Sequence, residues 1–114
     1  MSAQTLAAVL DAFVRGELGG VAERFAEHGA YREARKPPLV GRAAIAAEFA
    51  RFVASGVPFR FTVDDVIASA ARACVVYRFA TAGGSGEPWR ERAGCAIVRF
   101  DGCGQIAEWR EYEG

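Results

Sequence analysis

The run Gln105–Tyr112, QIAEWREY, sets Glu111 two residues after Trp109 and one before Tyr112. On an extended strand alternate residues share a face, so Trp109 and Glu111 point the same way. A carboxyl held against an indole in a poorly hydrated pocket loses solvation. Its pKa rises toward neutrality, where a general base works best. Other residues of the right type lie at matching parity. Tyr31 and Glu33 share one face of a short strand, and Arg78 shares a face with Cys74, Val76 and Ala80. A sheet that curls over its helices would gather Tyr31, Glu33, Arg78, Trp109 and Glu111 at the open end of a cavity. There Glu111 would act as base, Arg78 would stabilise developing negative charge, Tyr31 would donate a hydrogen bond, and Glu33 would complete the polar cluster. Trp109, Phe49, Val53 and Val98 would form the apolar wall around a ligand. The plainer alternative is a Glu111–Arg78 ion pair at the cavity rim.

Other chemistry is excluded by what the chain lacks. His28 is the single histidine, in a polar Glu27-His28-Gly29 stretch, so neither a His-based metal centre nor a supported Ser-His-Asp triad is expected. Gly102-Cys103-Gly104-Gln105-Ile106-Ala107 has the spacing of a dinucleotide fingerprint, but a strand follows it where the fingerprint requires a helix. No cofactor and no metal are expected.

The elements that must position these residues are legible from periodicity. Leu6, Val9, Leu10, Phe13 and Val14 make one helical stripe. Leu18, Val21, Ala22 and Phe25 continue more weakly as a second helix closing near His28-Gly29, and Ala30–Glu33 reads as a brief strand. Pro37-Pro38 interrupts regular structure, and a third helix opens at Gly41 with Ile45, Phe49, Phe52 and Val53 on its buried face. From Phe59 the period becomes two, with further runs over about 72–81, 88–100 and 105–112. Gly83-Gly84-Ser85-Gly86 and Asp101-Gly102-Cys103-Gly104 form the intervening turns. Helices followed by hairpin-linked strands predict an α+β fold with an antiparallel meander. The wholly small or apolar set Gly94, Ala96, Val98 and Phe100 suits the concave side. Arg60, Thr62, Val75, Tyr77, Phe79, Cys95, Ile97 and Tyr112 are assigned to the outer side. That face is too apolar to stand in water alone, and a second copy is its economical cover.

The chain has 114 residues, enough for a single domain over 1–114 with a sizeable core. Fourteen basic and fourteen acidic residues cancel, without like-charged blocks, so neither nucleic acid nor an anionic membrane is an expected partner. Cys74, Cys95 and Cys103 cannot all pair within one chain, and the first residues lack a signal-like pattern. Both features point to the cytoplasm. Cys74 and Cys95 read as core fillers, and Cys103 as an exposed turn residue.

Two stretches carry a resemblance. AYREARKPPLVGRAAIAAEF, Ala30–Phe49, and IAEWREY, Ile106–Tyr112, resemble the SnoaL-like branch of the nuclear transport factor 2 superfamily over nearly the whole chain. The resemblance implies a cone: three N-terminal helices and a curved, mostly antiparallel sheet enclosing an apolar pocket, commonly in a homodimer. It also implies kinship with ketosteroid isomerases, polyketide cyclases, limonene-epoxide hydrolases and non-catalytic binders. Trp109-Arg110-Glu111-Tyr112 is similar to the W-R-D-Y of the epoxide hydrolases, whose carboxylate activates water. The Tyr and Asn that help hold that water fall at Tyr31 and Glu33. Their Arg-x-Asp pair falls at Arg78 and Ala80, so the acid of that mechanism is missing. The ketosteroid isomerase base falls near Ala34, beside Glu33. The expected function is therefore a small pocket-bearing protein, an acid–base isomerase or hydrolase for an apolar oxygen-bearing molecule. The alternative is a non-catalytic binding or dimerisation module.

Overall fold

A computed structural model describes all residues, Met1–Gly114. The order is α1 (Ser2–Arg15), two single-turn 3-10 segments (Leu18–Gly20 and Ala22–Arg24), β1 (Phe25–Arg32), β2 (Leu39–Val40), α2 (Arg42–Ala54), β3 (Phe59–Ala68), β4 (Arg72–Thr81), β5 (Arg90–Phe100) and β6 (Ile106–Glu113). The strands form one curved six-stranded sheet in the order β2-β1-β6-β5-β4-β3. β3 to β6 make the expected antiparallel meander, while β1 runs parallel to β6. This is the α+β architecture anticipated, with two α-helices and two single 3-10 turns preceding the meander.

α1 forms because Leu6, Val9 and Phe13 recur at helical spacing, and all three are buried. The second helical segment is shorter than its weak stripe suggests. Gly19 and Gly20 stand where a nucleus would have to form, and a helix nucleus is costly even for good formers. The chain makes two isolated turns there and then enters β1 at Phe25, five residues earlier than the brief strand read from sequence. Ala30, Tyr31 and Arg32 pair with Glu108, Trp109 and Arg110 of β6, which brings Tyr31 beside the candidate site. An irregularity interrupts this ladder between Phe25 and Ala30, and within that stretch a Cβ added at Gly29 would sit 2.9 Å from the Ile106 carbonyl oxygen. The first turn of α2 is fastened to the start of β1, because Arg42 Nε and Nη2 donate to the Phe25 carbonyl at 3.1 and 2.9 Å.

α2 turns Ile45 fully into the core and Phe49 and Phe52 partly into it. Val53 does not join them and is 55% exposed, since Phe52 takes the inward side of the last turn. The core between helices and sheet is largely aromatic. Phe13 meets Trp109 edge-on at 5.5 Å, an orientation favoured by the ring quadrupole, and Phe61 at a tilt at 5.0 Å.

The sheet corrects one assignment of faces. Ala96 pairs with Val75 on one side and Glu111 on the other, and Gly94 pairs with Tyr77 and Glu113. Directly opposed residues share a face. Val75, Tyr77 and Phe79 therefore look inward with Glu111, and Cys74, Val76 and Arg78 look outward. Cys74 and Cys95 are accordingly half-buried on the outer face instead of in the core. Cys103 lies exposed in its turn.

Candidate functional site

Between α2 and the concave side of the sheet lies a cavity of about 230 Å³, with aromatic walls and charged residues at its mouth. Phe13, Phe49, Phe61 and Tyr77 form part of the wall, and Phe52, Phe59 and Phe79 form a further cluster with ring centroids 5.2–6.3 Å apart. These rings come from α1, α2, β3 and β4, so no single stretch of sequence contains the pocket.

Glu111 lines this cavity. Trp109 lies two residues earlier on the same face, and its Nε1 donates to Glu111 Oε2 at 2.9 Å. Tyr31 OH lies 3.5 Å from the same oxygen, a long contact. No protein donor reaches Oε1. Burial pushes the Glu111 carboxyl up to about 7, against 4.5 for an ordinary glutamate. The Trp109 hydrogen bond opposes this, while the negative charges of Glu33 and Glu113 add to it and the Arg92 guanidinium draws it down. The other carboxylates at the cavity have cations near them: Glu33 with Lys36 at 2.9 Å, Glu48 with Arg51 at 2.6 Å, and Glu113 with Arg92 at 3.6 Å. Glu111 has none at ion-pair distance. Tyr31 is also held protonated far above its normal range, first by burial and then by the neighbouring charge of Glu111.

A second polar group stands beside the first. Tyr77 is stacked on Phe61 at 5.2 Å and donates through its hydroxyl to Glu113 Oε2 at 3.0 Å. Glu113 is accommodated because Gly94 opposes it. A Cβ at that position would lie 2.8 Å from Glu113 Cγ and 2.3 Å from the Tyr112 carbonyl oxygen.

The residues nominated from sequence divide clearly. Glu111, Tyr31, Glu33 and Phe49 line the cavity. Trp109 and Val98 are fully buried beneath it. Trp109 thus reaches the site through Nε1 and not as an exposed wall, and Val98 is core. Val53 is outside. Arg78 is on the outer face of β4, donating through Nε and Nη2 to Asp64 at 2.9–3.2 Å, with Glu91 at 3.7 Å. The proposed Glu111–Arg78 partnership does not exist, in either its catalytic or its rim ion-pair form. The register of β4 against β5 places the two side chains on opposite sides of the sheet.

Tyr77, Arg92 and Glu113 were not nominated. Parity held the signal for two of them. Arg92 is in phase with Gly94, Ala96 and Val98, and Glu113 is in phase with Glu111. Tyr77 required the register itself.

The SnoaL-like domain model matches residues 6–109. No curated protein sequence matches the chain. Among solved structures, the crystal structure of a candidate polyketide cyclase from Xanthomonas campestris pv. campestris is similar, with a TM-score of 0.75 and 22% identity, over 99% of this chain and 90% of that one. At that identity the likeness concerns the fold. No helix is long and apolar enough to cross a membrane. The family model covers most of the chain, from α1 to Trp109 in the first half of β6, and the chain belongs to the SnoaL-like family.

Proposed function

We propose that this SnoaL-like protein catalyses proton transfer on a small, apolar, oxygen-bearing molecule, with Glu111 as general base. One observation carries the reading: a carboxyl with no cationic partner, held near 7 by burial, with one oxygen fixed by Trp109 and the other free toward an aromatic cavity. Near neutral pH such a group exists in both protonation states, so it can take a proton from carbon and return it. The aromatic walls favour an apolar skeleton. The name given to the Xanthomonas neighbour agrees with this class of chemistry.

The test is hydrogen–deuterium exchange at carbon next to the carbonyl of small cyclic ketones, followed by proton NMR. The wild-type protein should accelerate exchange with a rate that rises with pH through about 7. Glu111→Gln, which keeps shape and loses basicity, should abolish the acceleration while still binding ligand. Equal rates for the two proteins would refute the role of Glu111. If the wild type binds such ketones without accelerating exchange, the cavity is a binding site and not a catalytic one.

A second copy on the outer sheet face belongs to the same proposal. Val76 and Tyr112 are 36% and 44% exposed there, beside half-buried Cys74, Cys95 and Ile97. Arg32 and Arg110 lie over the Tyr112 ring at 5.8 and 5.5 Å. That mixed apolar and cation–aromatic surface fits a self-complementary interface.

A further inference from the structure

A base that removes a proton from carbon needs a partner for the oxygen that becomes negative, and most donors in the cavity are already committed. Trp109 Nε1 is directed at Glu111, Tyr77 OH at Glu113 and Lys36 at Glu33, and Tyr31 OH, a neutral donor, keeps a long 3.5 Å contact to Glu111. Arg92 is different. Its Nε makes a loose 3.6 Å contact to Glu113, its terminal nitrogens have no protein acceptor, and its guanidinium lies 5.2 Å from the Phe79 ring centroid at the cavity wall.

The register sets its separation from the base. Glu111 faces Ala96, and Arg92 begins four residues earlier on the same face of β5. That places Arg92 roughly 13 Å along β5 from the residue opposite Glu111, at about 3.3 Å per residue, and both side chains line the same cavity. The cavity volume limits the size of the molecule. A closed apolar cavity of about 150 Å³ holds benzene. By proportion, the 230 Å³ here suits a body of about nine non-hydrogen atoms.

We infer that Arg92 holds the oxygen on which charge develops when Glu111 removes a proton, and that the substrate is a one- or two-ring carbonyl compound lying between them. This inference rests on Glu111 being the base. Ionised Glu111 takes a proton from the carbon beside the carbonyl. The C–H electron pair becomes the carbon–carbon double bond, and the carbonyl π pair moves onto oxygen, where Arg92 donates hydrogen bonds to the enolate. Glu111 then returns the proton to carbon, and no other reagent is consumed.

The test compares Arg92→Gln and Arg92→Lys with the wild type, using 2-indanone for exchange and 2-naphthol as a mimic of the enolate. Loss of one preorganised oxyanion donor typically costs about 10²–10³ in turnover. Arg92→Gln should therefore lower kcat by about that factor with KM changed far less, and Arg92→Lys should recover part of it. The pH midpoint of exchange should also move upward in Arg92→Gln, because the positive charge that draws Glu111 down is gone, and should stay near the wild-type value in Arg92→Lys. An Arg92→Gln protein with full kcat, alongside an inactive Glu111→Gln, would overturn the role of Arg92 and leave the base intact. If the wild type exchanges nothing, the base reading fails and 2-naphthol binding decides the rest. A tenfold or greater loss of affinity in Arg92→Gln supports Arg92 as the oxygen-binding group, and equal affinity overturns it.

Discussion

Glu111→Gln should make the protein more stable, and only above the pH where an ordinary glutamate ionises. The wild-type carboxyl titrates near 7 in the fold, against 4.5 when exposed. Below about 4.5 both folded and unfolded chains carry the proton, and Glu111 costs nothing. Between 4.5 and 7 the unfolded chain has released it while the folded chain has not. Stability therefore falls with rising pH, by about 1.4 kcal/mol per pH unit. Above 7 both are ionised and the penalty is constant, at about 3 kcal/mol on this gap. Glutamine has no such transition and can still accept from Trp109. Urea unfolding of both proteins at pH 5, 6, 7 and 8 should show a difference that is small at pH 5, grows through pH 7 and levels at about 3 kcal/mol in favour of the variant. Against a typical total of about 5–15 kcal/mol, that is easily measured. A difference independent of pH would refute the assignment of a raised pKa. A variant less stable at pH 8 would show that the ionised carboxylate is held favourably after all.

Trp109→Phe removes the donor that lowers the Glu111 pKa, so the Glu111 carboxyl should titrate above its wild-type value in a carbon-13 NMR experiment, and stability should drop by about 1–3 kcal/mol. Arg78→Ala should leave that titration and any ketone exchange unchanged, because Arg78 faces Asp64 and Glu91 outside the sheet. A large change in either would return Arg78 to the site. Val76→Asp should shift the sedimentation coefficient from dimer to monomer while the circular dichroism spectrum stays the same; a species of unchanged size would remove the outer face from the proposed interface.

How much could be read beforehand is shown by three strands. On β6, period two alone puts Trp109 and Glu111 on one face, because neighbours two apart on a single strand need no partner to define their direction. The same reasoning reaches Glu113 once the strand is allowed to continue to its observed end. On β5 the small and apolar set Gly94, Ala96 and Val98 marks the concave side, and Arg92 follows from it. β4 is the strand where the reading failed. Val75, Tyr77 and Phe79 alternate with Cys74, Val76 and Arg78, and both sets are mixed enough for either to look inward. The choice is made by pairing Val75 with Ala96 and Tyr77 with Gly94, and a slip of one residue would have reversed it.

From composition and periodicity come the α+β class, the helices around Phe13 and Phe49, the meander, and a carboxylate sharing a face with an indole. These are local properties, set by spacing along a single segment. Tertiary structure alone decides that Tyr77 replaces Arg78 at the cavity, that Glu113 folds over Gly94, and that Glu111 has no cation beside it. Each of those depends on which residue lies opposite which across the sheet, and desolvation of Glu111 depends on rings contributed by four separate elements. Register and burial arise only when the whole sheet closes over its helices, and they set the chemistry of the carboxyl.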